Sequence, residues 1–342
     1  MAVHRVHVMP ESQPTPERVF AAAHAYQTSN ALKTAVELDL FTAIHEGADT
    51  AATLADRLKS TERRVRILCD FLVTDGFLSK RDSTYSLAPD AVAFLVKSSP
   101  AYLGDTLRFL LGAGVLAYHE QLTNVMRNGI TQDQSSVAPN NELWVEFARN
   151  MAPLMRMPAE MMAERLGADS GEPWKVLDIA AGHGTFGIAI ARRNPQAEIH
   201  AVDWDAVLNV ARENATLAGV SSRYRTIPGS AFDVDYGGPY DVALLTNFLH
   251  HFDFDTNVAL IRKVRAALKP TGRVATLEFV PNEDRVSPPV PARFAMHMLA
   301  DTAGGEAYPF SELRAMFEAG GFSRNELVQL HPSPQTLIVS SI

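Results

Sequence analysis

The stretch "NFLHHFDFD", residues 247–255, sets two imidazoles side by side behind an apolar run that ends at Thr246. An imidazole titrates near neutrality, so a neutral one can take the proton from a hydroxyl whose own pKa of about 10 keeps it protonated. His250 is the candidate general base. Such a base works better when its second nitrogen faces a carboxylate that fixes the tautomer and stabilises the imidazolium. Two glutamates could do this, Glu278 at the strand end in "ATLEFVP" and Glu306 in "TAGGEAYPFSEL". On residue types alone, an adjacent histidine pair can equally be one exposed and one hydrogen-bonded structural residue, and either glutamate a solvated loop charge.

A second constellation is "VLDIAAGHGTFG", residues 176–187, with the Gly-x-Gly-x-x-Gly spacing at Gly182, Gly184 and Gly187. A dinucleotide would rest its pyrophosphate on the N–H groups of this turn, and Asp178, shortly before Gly182, would repel it. An acid there suits a cationic ligand better. S-adenosylmethionine carries an ammonium and a sulfonium and has no phosphate. Asp203, closing the strand "AEIHAVD", is placed to accept ribose hydroxyls, which both ligand classes need.

Elements that must hold these groups can be read from periodicity. Strands are expected at 175–179, 198–202, 224–228, 240–246 and 273–279, alternating with helices at 185–193, 206–218 and 255–268. That alternation predicts an α/β fold with a Rossmann-like, doubly wound parallel sheet. "NELVQLHPSPQTLIVSSI" adds two strand-like runs joined by a turn so short that they must be antiparallel. Upstream, residues 17–99 read as short helices followed by the hairpin "GFLSKRDSTYSLA", the outline of a mainly α winged helix. The expected organisation is a disordered N-terminus over 1–16, a winged-helix-like domain over 17–99, a helical segment over 100–170 and the catalytic α/β domain over 171–342. The helical segment is broken by the polar loop "NGITQDQSSVAPNN", with Pro139 near its end.

Composition narrows the class. With 342 residues, 46% hydrophobic and 20% charged, the chain can bury two cores. No apolar run reaches the roughly eighteen residues of a membrane span, and the first residues lack a signal-peptide core, so a soluble cytoplasmic protein is expected. A net charge of −8 offers no basic field to nucleic acid. Cys69 is the single cysteine, which excludes an internal disulfide, and its place in "VRILCDFLV" predicts a buried thiol.

In order along the chain, "VLDIAAGHG", "HAVDWD", "GSAFDVDYGGPYDVALLTNFLHHFD", "LKPTGRVATLEFVP" and "FSELRAMFEAGGF" resemble the successive motifs of class I S-adenosylmethionine-dependent methyltransferases. More narrowly they resemble small-molecule O-methyltransferases of the hydroxyindole and caffeate type, which also carry an N-terminal winged-helix dimerisation domain. The resemblance covers nearly the whole chain. It implies S-adenosylmethionine as methyl donor, a small, aromatic acceptor under the middle helices, and a homodimer.

Carried over by position, Asp178, Gly182 and Gly184 would hold the methionine end of the donor and Asp203 its ribose. Trp204 and Phe232 would flank the adenine, and Asn247 closes the strand beside the donor. Where the family has Gly-Asp, this chain has Gly229-Ser230, which leaves Ser230, Asp233 or backbone to recognise the adenine amino group. His250 aligns with the family's base in Leu-His-Asp-Trp, and Phe252 replaces the tryptophan. The family's Glu-Arg-Thr register is filled by Ala307-Tyr308-Pro309, so that Glu306 falls one residue early. Met151, Met155, Phe294, His297 and Met298 come from the two segments that build the family's acceptor pocket, although a methionine-rich helix is equally adaptable core.

No metal is expected. His250, His251, Asp253 and Asp255 cluster, but adjacent histidines rarely face one ion, and Asp255 suits a helix N-cap. Magnesium-dependent catechol-type enzymes need a carboxylate where this chain has Thr246-Asn247. Two rivals follow from the same residues. One keeps the donor and methylates carbon or nitrogen, or uses the sulfonium without transfer. The other is a winged-helix DNA-binding regulator, for which "TERRVR" supplies arginines. Residues 49–97 carry eight basic against seven acidic side chains, a poor footprint for phosphate.

Overall fold

The computed structural model describes residues 14–131, 134 and 143–342. Most of the expected disordered N-terminus and most of the polar loop 128–141, with Pro139, lie outside the described residues. The chain divides into two compact units, one up to Leu111 and one from Gly112 to Ile342, a boundary inside the helical segment expected over 100–170.

The first unit contains helices α1 (Glu17–Glu37), α2 (Leu40–His45), α3 (Ala51–Leu58) and α4 (Glu62–Thr74), the hairpin β1 (Leu78–Arg81) and β2 (Thr84–Leu87), then α5 (Pro89–Leu95) and α6 (Gly104–Leu110). Thr50 and Thr53 form a capping box that starts α3, and Thr61 caps α4. Val65, Cys69 and Leu72 fall on one face of α4 and are buried against Leu40, Phe41 and Leu54. Burial pushes the Cys69 thiol up to about 12, leaving it inert. Asp82 takes the left-handed conformation at the hairpin tip, which aspartate tolerates. Asp70 on α4 ties the wing down, accepting from Tyr85 Oη at 2.7 Å and pairing with Lys80 and Arg66.

The second unit begins with α7 (Ala113–Glu120), α8 (Leu122–Asn128) and α9 (Leu143–Arg165). The α/β elements follow: β3 (Lys175–Ile179), α10 (Thr185–Arg193), β4 (Glu198–Asp203), α11 (Asp205–Leu217), β5 (Tyr224–Pro228), β6 (Tyr240–Thr246), α12 (Phe254–Ala266), β7 (Leu268–Glu278), α13 (Pro289–Asp301), α14 (Phe310–Ala319), β8 (Arg324–Gln329) and β9 (Thr336–Ser341). The seven strands run β5-β4-β3-β6-β7-β9-β8. β9 alone is reversed, inserted between β7 and β8, and the antiparallel expectation for the last two strands holds. Central strands β3 and β6 are buried on both faces, as their near-continuous apolar runs require. The α/β fold class is as expected, with one boundary displaced. β7 starts at Leu268, not 273, because "LKPTG" continues the pairing with β6 across a register shift near Tyr240 and Val242.

Candidate active site

β3, β4, β6 and β7 lie side by side and parallel, so the turns after their C-terminal ends converge on one edge of the sheet. Open α/β sheets bind ligands there. The order β4-β3-β6 contains the switch point at which the chain reverses direction across the sheet.

Between β3 and α10 the glycine loop is held from behind. Gly182 N donates to Asp203 Oδ2 at 2.8 Å, and Gly187 N donates to Asp178 Oδ2 at 3.1 Å. A Cβ on Gly187 would lie 2.7 Å from both Asp178 Oδ2 and Ile199 Cγ2, so only glycine lets α10 pack this closely. At Gly184, with φ +74°, a Cβ would meet Tyr224 Oη at 2.6 Å. Asp178 is fully buried and its Oδ1 has no hydrogen-bond partner among the described residues. It braces the loop from beneath through Gly187 N. Burial pushes its carboxyl up to about 7. Asp203 accepts from Gly182 and from Trp204 N at 2.7 Å, yet burial still raises it to about 6.

Trp204 packs with Ala148, Val207 and Val210. Ser230 Oγ accepts from Phe232 N at 3.1 Å, and the Phe232 ring lies edge-on to Phe252 at 5.0 Å. Asn247 takes a left-handed backbone at the end of β6; its Oδ1 accepts from Gln335, and its amide nitrogen lies 3.7 Å from Met155 Sδ. Gln335, His183 and Tyr224 adjoin these residues and were not singled out from the sequence. His183 sat inside the quoted loop and could have been noticed. It is buried, accepts from Thr185 N at 3.2 Å, and burial lowers it to about 4. Gln335 and Tyr224 carry no local signal.

Register brings β6 and β7 together with Thr246 opposite Leu277, so the turn after β6 meets the end of β7. There His250 Nδ1 lies 2.5 Å from Glu278 Oε2. Glu278 Oε1 accepts from Phe248 N at 3.0 Å and Leu249 N at 2.9 Å. Both side chains are buried, His250 at 5% exposure and Glu278 at 2%. With Nδ1–H donated to the carboxylate, His250 Nε2 keeps a lone pair. His251 is also buried, with its ring 4.3 Å from that of His250 and edge-on to Trp144 at 5.4 Å. Burial and its neighbours His250 and His297 hold it well below the usual histidine range.

Glu306 does not join this pair. Its carboxylate bridges to Arg285, which also binds Glu312, on the exposed side of the loop. Tyr308, in the displaced register, donates its hydroxyl to Phe252 O at 2.6 Å. The helix cap expected at Asp255 is instead Asp253, whose side chain accepts from Thr256 N at 2.8 Å; Asp255 lies within the first turn of α12. Among the described residues, no three His, Cys, Asp or Glu side chains converge as metal ligands.

Phe294 on α13 meets His250 edge-on at 4.8 Å and packs on Phe279 at 4.4 Å. One turn on, His297 Nδ1 lies 3.0 Å from His119 Nε2 of α7. Met298, Met151 and Met155 are buried, the last two on the face of α9 that also buries Ala148, Ala159 and Met162.

A strand-end carboxylate, a glycine loop without lysine or arginine and a buried histidine–carboxylate pair on a seven-stranded sheet with one reversed strand define a Rossmann-like transferase. Comparison with known proteins agrees. Residues 177–274 match the family "Methyltransferase domain", and residues 20–97 match "O-methyltransferase dimerisation domain". A protein from Nostoc punctiforme assigned as an O-methyltransferase superposes with a TM-score of 0.92 at 46% identity, covering 96% of this chain and 99% of that one. Mouse acetylserotonin O-methyltransferase is 28% identical over 91% of this chain and 86% of its own. An L-tyrosine C(3)-methyltransferase from Streptomyces lavendulae is 24% identical, covering 89% and 85%. The chain belongs to the S-adenosylmethionine-dependent O-methyltransferase family, with that family's N-terminal dimerisation domain. Its methyl donor is S-adenosylmethionine.

Proposed function

We propose that the protein methylates a hydroxyl of a small aromatic metabolite with His250 as general base. The buried 2.5 Å contact between His250 and Glu278 carries this reading. Glu278 orients the imidazole and holds its proton on Nδ1, so Nε2 is free to take the hydroxyl proton as the oxygen becomes a nucleophile. Glu278 also offsets the positive charge that the imidazolium then carries. Bound S-adenosylmethionine supplies an electrophilic methyl group on a sulfonium that leaves as a neutral thioether.

The loop suits such a donor. Asp178 and Asp203 place negative charge under and beside it, His183 within it is neutral, and the Asp178 oxygen without a partner belongs to a group that a nearby cation would stabilise. Gly182 and Gly184 would bear the methionine end and Asp203 the ribose. Trp204, Phe232, Ser230 and Asn247 line the same sheet edge for the nucleoside. Phe294, with Met151, Met155, His297 and Met298, forms the apolar acceptor side. Glu306 is left outside by its pairing with Arg285.

The working form is a cytoplasmic homodimer that does not act on nucleic acid. Two of the basic side chains that a DNA-reading wing would use, Arg66 and Lys80, are paired with Asp70. The rival transfer to carbon draws on one observation, the relative named for C(3)-methylation of tyrosine.

His250→Ala tests the proposal. Turnover of a hydroxyl acceptor should fall by about two to four orders of magnitude with donor affinity unchanged. Full activity in that variant would remove His250 as the base and bring carbon transfer forward.

A further inference from the structure

Beyond the base, α13 carries a second polar locus. On its inner face Phe294, His297 and Asp301 follow at helical spacing, and His119 approaches from α7. The row starts at His250, whose ring meets Phe294 at 4.8 Å, and Phe294 meets His297 at 5.9 Å. His297 and His119 are nearly coplanar, with 17° between their planes, and their facing nitrogens are 3.0 Å apart.

Two facing imidazole nitrogens at that distance share one proton. The carboxylate of Asp301 lies 3.9 Å from His297 Nε2 and favours a proton on that nitrogen. Burial, together with His119 and His250, holds His297 down at about 4, so it is neutral near pH 7. A neutral ring with its proton on Nε2 has a lone pair on Nδ1. His119 Nε2 must therefore be the donor across the contact, which leaves His119 Nδ1 as a free acceptor.

We propose that the His119–His297 pair, backed by Asp301, is a specificity site that accepts a hydrogen bond from a second hydroxyl or N–H at the far end of a flat aromatic acceptor. This rests on the reading of the Phe294 side as the acceptor pocket. The acceptor then spans two polar ends, the reacting hydroxyl at His250 Nε2 and a donor at His119, with its ring against Phe294. A purely apolar aromatic with one hydroxyl satisfies only the first. A ligand without the second donor forgoes that one hydrogen bond.

The test uses rigid probes on the full chain saturated with S-adenosylhomocysteine. Calorimetry compares 2-naphthol with 2,6-dihydroxynaphthalene, whose hydroxyls sit at opposite ends of one flat ring system. The diol should bind about tenfold more tightly, the effect of one added hydrogen bond. His119→Phe should bring the two affinities within twofold, and His119→Gln, which keeps an acceptor, should retain more than half of the logarithmic difference. Thermal melting checks that both variants fold. Equal affinities in the wild-type protein, no binding of either probe, or a preference that survives His119→Phe would overturn the proposal. Turnover with S-adenosylmethionine separates it from the base assignment. Normal diol preference in binding with activity untouched by His250→Ala faults the base and leaves this site standing.

Discussion

Glu278 uses its two oxygens for different tasks. Oε1 gathers the N–H groups of Phe248 and Leu249, which fixes the segment carrying the base, and Oε2 fixes the imidazole itself. Glu278→Gln separates the two. The amide oxygen can still accept from the backbone, so its NH2 turns toward His250 Nδ1 and drives the imidazole proton onto Nε2, where no lone pair then remains. Turnover should fall by roughly a hundredfold or more while donor affinity changes less than threefold. Unchanged kcat would mean that the tautomer is not set by this residue.

The buried carboxylates predict a pH effect on the donor. Asp178 at about 7 and Asp203 at about 6 hold their protons more tightly in the free enzyme than exposed carboxyls do. A bound cation favours their ionised forms and lowers those pKa values. The free enzyme therefore binds more protons than the complex below pH 7, binding releases protons there, and affinity rises with pH until Asp178 is ionised, then levels. Calorimetry of S-adenosylmethionine binding between pH 5.5 and 8, in buffers of different ionisation enthalpy, should show that release. Affinity independent of pH, or rising toward acid, contradicts it.

At the scale of elements, the base segment is clamped by the loop after α13. A Cβ on Gly305 would lie 2.2 Å from His250 O and 2.8 Å from His251 C, both backbone atoms that cannot swing aside. Gly305→Ala should push the turn after β6 away from β7, costing about 1–3 kcal/mol of stability and lowering kcat more than it raises the donor Kd. Thermal melting and steady-state kinetics check this; a silent substitution would show that the turn has room.

Much of this architecture was legible. β3, α10, β5 and β6 span the residues their periodicity indicated, because long apolar runs bounded by glycine and polar residues leave little choice. The onset of β7 was not, since Pro270 and Gly272 read locally as a turn and only pairing with β6 extends the strand. The cap of α12 was missed by two residues because "DFD" offers two aspartates and backbone geometry selects the first. In the site, position at a strand end indicated His250 and Glu278, and parallel register supplies their contact. Gln335 beside Asn247, His119 beside His297 and Tyr224 beneath Gly184 come from chain segments far apart, with no periodicity to relate them.

At the scale of the whole molecule, the dimerisation domain poses a problem of unburied surface. α1 has twenty-one residues, of which only Ala35 and Val36 are buried. Val19 is 70% exposed, Phe20 57% and Tyr26 59%, so the first half of the helix displays large apolar side chains that its own unit does not cover. A row of this kind on a family-defined dimerisation domain fits a symmetric partner, because in a two-fold contact each apolar residue is used twice. The wild-type protein should therefore scatter light as a dimer at micromolar concentration. Phe20→Glu with Tyr26→Glu puts two charges among these exposed apolar side chains on each protomer. Burying them unpaired costs enough to shift the equilibrium to monomer by at least a hundredfold in dissociation constant. Since neither side chain contributes to the core around Phe41, Leu54 and Leu72, the monomer should keep native far-ultraviolet dichroism and a cooperative melt. A double variant that remains dimeric would place the contact elsewhere on the first unit, and a wild-type monomer would leave the exposed face of α1 to another partner.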